Sequence, residues 1–302
     1  MSHPHNHTHS HSDYNRAFAI GVALNVIYIV VEATYGFLAG SLALLADAGH
    51  NLSDVLGLLL AWGANYLVQR KPTERHTYGW RKSTILAALT NAIILLVAMG
   101  GIAWEAVRRF SDPSPVSGKT VIIVAAIGVV INTATALLFL SGRKTDLNIR
   151  GAFLHMAADA GVSAGVVLAG VVILATGWPW IDPVVSLTIT AIILVGTWGL
   201  LRDSFNLALD AVPAGIDPEA VKTYLSDLPG VTGVHDLHIW AMSTSETALT
   251  VHLVKPDAGD DDALIEQASR ELHDRFGIEH ITIQWERRPE LDHCGSSCQI
   301  NV

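Results

Sequence analysis

Residues 120–140, TVIIVAAIGVVINTATALLFL, form a 21-residue run that is apolar almost throughout. Coiled as a helix rising about 1.5 Å per residue, such a run matches the ~30 Å hydrocarbon core of a bilayer. Hydrocarbon offers no partners to backbone N–H and C=O groups, so an isolated segment that crosses it must satisfy them internally, as a helix does. VVSLTITAIILVGTWGLL, within 183–207, makes the same demand. Four further segments, 17–39, 41–68, 84–107 and 150–175, have the length, and the first, second and fifth of the six are weakened by embedded polar residues. Together these segments predict six transmembrane helices. The composition fits: 50% of the 302 residues are hydrophobic and only 16% are charged, against roughly 25% charged in soluble domains.

The end of the chain belongs to a different solvent. Residues 1–210 hold 13 Lys/Arg against 12 Asp/Glu, whereas residues 211–302 hold 6 against 16, a balance of −10. From Pro213 on, the pattern is that of a small α+β domain. DPEAVKTYLSDL reads as a helix with Asp217 as its N-cap and Pro218 at its first position. VTGVHDLHIWAM and TALTVHLV read as strands joined by the turn STSE. DDALIEQASRELHDRF follows as an amphipathic helix, and EHITIQWE as a last strand. The order αββαβ predicts a small sheet with its helices on one face. No periodicity follows it.

Short-loop Lys/Arg bias sets the expected orientation. The loop after the second segment holds five basic residues between Arg70 and Lys82, and the loop after the fourth holds Arg143, Lys144 and Arg150. The loops after the first and fifth hold none, while Arg108, Arg109 and Lys119 after the third dissent. The balance places both termini in the cytoplasm. No signal peptide is expected, because no small-residue cleavage site follows the first apolar run. Four parts result: a disordered His-rich tail (1–15), a six-helix transmembrane domain (16–210), a cytoplasmic αββαβ domain (211–288) and a His/Cys metal-binding tail (289–302).

Segment two is interrupted by DAGHNLSD, residues 47–54. His50 and Asp54 stand at i and i+4, so they share one helix face. Segment five repeats the spacing with His155 and Asp159 in FLHMAADAG. Face to face, the two pairs offer two imidazole nitrogens and two carboxylates, a tetrahedral set for a borderline ion such as Zn²⁺. Polar residues in membrane helices commonly serve as interhelical hydrogen-bond glue, which accounts for Asn25, Asn91 and Asn132. Ionised carboxylates at membrane depth are too expensive for that role without a cation, and neither helix interior contains Lys or Arg. Asp47, one turn before His50, and Glu32 in segment one are candidates for a supporting or pathway role.

The tail domain carries its own cluster: His235 and His238 in VHDLHIW, His252 in TVHLV, His280 and Glu286 in HITIQWE, and His293, Cys294 and Cys298 in DHCGSSC. Two cysteines with three residues between them cannot staple a fold, but beside a histidine they can supply thiolate ligands. At the N-terminus His3, His5, His7, His9 and His11 alternate with small polar residues and Pro, a pattern of weak metal binding. Lys82 and Asp210, at two predicted helix ends, could pair or stand alone.

HNLSD, HMAAD, PTERHTYGWRKSTILAAL, LALDAVP, HDLHIW and HITIQWE, in this order, resemble the zinc-transporting branch of the cation diffusion facilitator family over nearly the whole chain. The resemblance implies a homodimer of six-helix protomers in a bacterial inner (plasma) membrane, each with a metallochaperone-like cytoplasmic domain. It implies export of cytosolic Zn²⁺ in exchange for protons through His50, Asp54, His155 and Asp159. It further implies a regulatory or dimer-stabilising zinc site at His235, His252 and Glu286, joined by Cys294 and Cys298, with Lys82 and Asp210 as a charge interlock. Two positions depart from the pattern. Trp80 and Thr73 replace the partners that some members give His76, and Gln284 stands where some bacterial relatives have a histidine.

The expected chemistry is competition, since a zinc ligand must be neutral His or ionised Asp and protons therefore exclude the metal. An enzyme is not expected: a membrane metallohydrolase needs an open coordination position and a general base, and HExxH is absent. The alternative is a membrane-bound zinc sensor or buffer without translocation. Nucleic acid is not an expected partner.

Overall fold

The computed structural model describes residues 11–140, 147–257 and 261–287. Six long helices come first: α1 (His11–Ala39), α2 (Leu42–Val68), α3 (Ser83–Ser111), α4 (Gly118–Phe139), α5 (Leu147–Thr176) and α6 (Ile181–Ala208). Stretches of α3 to α6 are long and apolar enough to cross a membrane; α1 contributes the shorter apolar Asn25–Ala39. α2 runs 27 residues and contains DAGHNLSD without a break. The protein is a helical membrane protein with a C-terminal α+β domain, α7 (Pro218–Ser226), β1 (Gly233–Ala241), β2 (Thr247–Val254), α8 (Asp261–Phe276) and β3 (His280–Glu286).

By internal packing the chain divides into two compact units. One holds the chain up to Leu59 together with Asn91–Gly199, and the other holds Leu60–Thr90 and everything from Leu200 on. In the first, α4 and α5 lie closely side by side because glycines let their backbones approach. A Cβ on Gly170 would meet Ile122 at 2.9 Å, and one on Gly118 would meet the Gly170 carbonyl at 2.9 Å. Close approach of this kind replaces the hydrophobic drive that is missing between helices in lipid. Around this pair, Tyr28, Leu44, Met99, Val121, Val166 and Ile189 form one buried cluster.

The start of α2 is tied down from two sides, by α6 and by α3. Asp182, buried at the first turn of α6, accepts from Leu42 N (2.7 Å), from Ser41 Oγ (2.5 Å) and at longer range from Ala43 N (3.4 Å). Its carboxylate thereby satisfies helix N–H groups that have no intrahelical partner. Arg109 of α3 lies 3.8 Å from the same carboxylate and donates to the carbonyl of Gly40.

In the second unit the strand order is β1-β2-β3, with β1 and β2 antiparallel and β2 and β3 parallel. α8 makes the crossover that a parallel pair requires. Asp217 caps α7 by accepting from Glu219 N at 3.0 Å, and Pro218 fills the first position, where an N–H would be unpartnered anyway. Val221, Leu225, Leu264, Ala268 and Leu272 from the two helices bury Ile239, Leu249, Val251 and Leu253 of the sheet. Successive strand residues point to opposite faces, so covering the odd-numbered side of β2 leaves Thr250 and His252 on the uncovered side.

Candidate metal centre

His50 and Asp54 project from α2, and His155 and Asp159 from α5, toward one point. His155 Nε2 lies 3.1 Å from Asp54 Oδ2 and 3.7 Å from Asp159 Oδ2. His50 Nε2 lies 3.5 Å from Asp159 Oδ1 and 3.8 Å from Asp54 Oδ2. Nitrogen and carboxylate therefore alternate around a four-membered ring, each imidazole between two carboxylates, with the ring planes crossing at 80°. Zn–N and Zn–O bonds of about 2.1 Å in a tetrahedron place neighbouring ligand atoms about 3.4 Å apart. These four His–carboxylate separations bracket that length; Asp54, His155 and Asp159 bring ligand atoms within 4.8 Å of one another, and His50 stands beside that group. Asp159 is buried, and its Oδ2 has no hydrogen-bond partner among the described residues. A buried carboxylate oxygen left without a donor is costly unless something else is meant to occupy it.

One side of the ring faces a cavity of about 420 Å³ lined by Asp54 and His155 together with Asn51, Asn91, Thr135 and Phe139. Ser53 Oγ donates to Asn91 Oδ1 at 3.4 Å, so the asparagine is held by a neighbour and acts as the interhelical glue expected of it.

Glu32 and Asp47 do not join this ring. Both are fully buried and belong to a separate polar node. Tyr28 OH donates to Glu32 Oε1 (2.6 Å), Asn51 Nδ2 donates to Glu32 Oε2 (3.4 Å), and Ser163 Oγ donates to Asp47 Oδ2 (2.9 Å). Tyr28 and Ser163 were not singled out in the sequence. The signal available was their spacing, since Tyr28 is four residues before Glu32 and Ser163 four after Asp159.

The tail domain brings His235, His252 and Glu286 together by register. His235 faces His252 directly across the antiparallel pair, and β3 places Glu286 opposite Val254, two residues along from Gln284, the partner of His252. His235 Nε2 lies 3.2 Å from Glu286 Oε2, and His252 Nδ1 lies 2.9 Å from Glu286 Oε1. The three ligand atoms lie within 4.8 Å of one another. Glu286 Oε2 is buried and makes no aligned hydrogen bond, its nearest polar neighbour being His235 Nε2 at 3.2 Å. Three protein ligands leave a fourth position of a zinc tetrahedron open.

A bulge between His235 and His238 shifts the register, with Asp236 in the left-handed region at φ 53°. It brings His238 to the uncovered face opposite Thr250, where its Nε2 contacts Asp236 Oδ1 at 3.0 Å; Asp236 Oδ2 also lies 3.7 Å from His252. Asp236 was missed in the sequence although HDLH displays it. His280 is placed elsewhere: it pairs with Ala248 and touches Arg81 Nη1 at 2.8 Å, and Arg81 bridges to Glu246 at 2.6 Å. Lys82 and Asp210 do meet, at 2.6 Å, as a half-exposed pair. The ring of His76 stacks on Trp80 with centroids 4.3 Å apart, which leaves it beside a side chain with no ligand nitrogen. His293, Cys294, Cys298 and the histidines from His3 to His9 lie outside the described residues.

Residues 18–207 match the cation efflux transmembrane domain, and residues 213–288 match the cytoplasmic domain of cation efflux proteins. The chain is 40% identical to the zinc transporter ZitB of Escherichia coli (strain K12), over 99% of this chain and 96% of that protein. It is 34% identical to a cadmium, cobalt and zinc/H(+)-K(+) antiporter of Bacillus subtilis (strain 168), again over 99% and 96%. Among solved structures, the metal-bound C-terminal domain of the CzcD transporter from Cuprividus metallidurans is 38% identical, covering 24% of this chain and 99% of that one with a TM-score of 0.22. With both domains matched and relatives aligned end to end, this chain belongs to the cation efflux family.

Proposed function

We propose that the chain exports zinc from the cytoplasm in exchange for protons. The observation that carries this reading is the convergence of His50, Asp54, His155 and Asp159: three of them bring ligand atoms within 4.8 Å of one another, and His50 Nε2 lies 3.5 and 3.8 Å from the two carboxylates. The names of the relatives, a zinc transporter and a zinc/proton–potassium antiporter, support it. Zinc is the cargo. Two carboxylates and two neutral imidazoles hold it when the ring faces near-neutral cytoplasm. On the other side, protonation of the imidazoles competes with the metal, and each resulting imidazolium finds a carboxylate that the ion has vacated. An inward proton gradient then drives zinc outward.

In the same reading the protein works as a homodimer in a bacterial inner membrane, with six spans over 16–210 and both termini cytoplasmic. His235, His252 and Glu286 hold a resident zinc ion that favours one dimer arrangement, with Cys294 and Cys298 as further donors and Lys82–Asp210 as the interlock. The orphaned oxygen of Glu286 supports a metal there.

The test is counterflow in vesicles containing the purified full chain. Zinc movement against an imposed proton gradient, lost in Asp54→Ala, is the expected result. Zinc binding without flux in the parent protein would replace the transporter with a sensor or buffer.

A further inference from the structure

Glu32 and Asp47 form a second charged node that ligand binding does not use. Both are 0% exposed, and the cluster draws on four helices: Tyr28 and Glu32 from α1, Asp47 and Asn51 from α2, Ser163 from α5, and Gly128 from α4. Gly128 is part of the construction, because a Cβ there would stand 2.1 Å from Tyr28 Oη and displace the phenol from Glu32. Both Glu32 oxygens already accept hydrogen bonds. Asp47 is different: Oδ2 accepts from Ser163, while Oδ1 is buried without any donor. Gly128 also shows how close the two acids come, since its Cβ position lies 2.1 Å from Tyr28 Oη, the donor to Glu32, and 3.1 Å from Ser163 Oγ, the donor to Asp47.

Among the described residues no Lys or Arg offsets either carboxylate. The other charges that reach the node are His50, through Asp47 from α2, and Asp159 of α5. Two ionised carboxylates side by side in a dry interior are not sustainable; such a pair shares a proton. A proton on Glu32 would supply the one donor the cluster lacks, an O–H toward Asp47 Oδ1.

We infer that Glu32 and Asp47 are a proton-carrying dyad, separate from the zinc ligands, that holds one exchangeable proton while the ring is empty and gives it up when zinc arrives. The balance is simple. The Glu32 O–H bond breaks, its electron pair stays on the carboxylate, and the proton leaves to solvent; the reverse occurs as the ion departs. The driving term is electrostatic, since a divalent ion at His50, about one turn from Asp47, favours the doubly ionised dyad. By linkage a proton on the dyad weakens zinc binding by the same factor. This deepens the proton-coupled reading and rests on it for the direction of flux.

The experiment counts protons released per zinc bound to the detergent-solubilised full chain. Zinc is titrated calorimetrically in buffers of differing ionisation enthalpy between about pH 5 and 8, and the signal lost in Asp54→Ala defines the membrane site. Glu32→Gln should still hold zinc there while releasing up to roughly one proton fewer per ion. An unchanged proton count across the range overturns the inference. Tyr28→Phe keeps the carboxyl and removes a donor that favours its ionised form, so its release profile should move to higher pH. An unmoved profile overturns the inference equally, and this variant decides the matter should Glu32→Gln not fold. If the parent moves no zinc across vesicles, the transporter reading falls while the proton count still judges the dyad.

Discussion

The two clusters use similar donors but are built by different periodicities. The membrane ring joins two helices, each contributing an i, i+4 pair, and no backbone hydrogen bond links its halves. Its shape depends on how α2 and α5 stand against each other, and a small slide or tilt would undo the two edges that cross between them, His50–Asp159 and His155–Asp54, together. The tail cluster lies across three strands whose ladder fixes His235 against His252 and Glu286 two residues along. A one-residue slip there would turn every side chain to the other face. In the proposed reading, the helical site is the one that changes and the sheet site the one that holds.

That contrast can be broken most directly by Asp159→Ala. Asp159 faces both imidazoles, at 3.5 and 3.7 Å, and its loss should reduce zinc flux by about 100-fold or more, whereas Glu286→Ala should leave flux measurable. Vesicle transport of both variants checks this, and the reverse ranking would exchange the roles of the clusters. Next in size is Leu253→Ala. Leu253 is fully buried beneath the sheet, and its truncation should cost about 2–5 kcal/mol, read as denaturant unfolding followed by Trp285 fluorescence.

Metal removal is a somewhat smaller lever. Zinc at a hundredfold excess over its dissociation constant should stabilise the tail domain by about 2.7 kcal/mol, a gain abolished by a chelator and absent in Glu286→Ala. A fully static scaffold that gained nothing from zinc would remove the holding role.

The smallest effect is one of pH. A hydrogen bond from Lys255 Nζ at 2.7 Å, joined by Arg287, holds the Asp261 carboxyl below the usual carboxylate range. A lowered folded-state value means that the contribution is complete above the ordinary pKa of about 4 and is lost as pH falls through the folded value. Acid titration of stability should therefore flatten on the low side in Asp261→Asn, and an identical slope would show that the pair does nothing.

What could be read beforehand follows the same division. The pairs HNLSD and HMAAD were legible because helix period is a local property, and so was the Asp217–Pro218 start of α7. Strand register is not local. His280 stood in the sequence only as a further candidate beside His235, His252 and Glu286, and its pairing with Ala248 places it away from the cluster. The bulge that turns His238 to the uncovered face carries no signal beyond an aspartate that tolerates positive φ. The node around Glu32 was half legible: its two acids stood out as unpaired and Tyr28 lay four residues before Glu32, but only packing brings Asn51 of α2 to Glu32 and Ser163 of α5 to Asp47.

The tethered start of α2 has a mechanical consequence. Asp182 and Arg109 fasten the helix at Ser41–Ala43, and the ring residues His50 and Asp54 stand about 10–18 Å further along at 1.5 Å per residue. A tilt of α2 that kept these bonds would pivot near that end. A swing of about 10° about that point would carry His50 roughly 2 Å and Asp54 about 3 Å, distances comparable to one metal–ligand bond. Because the arm to Asp54 is longer, such a swing would move its carboxylate further than the imidazole of His50, and the two proposed ligands on α2 would part from an ion unequally.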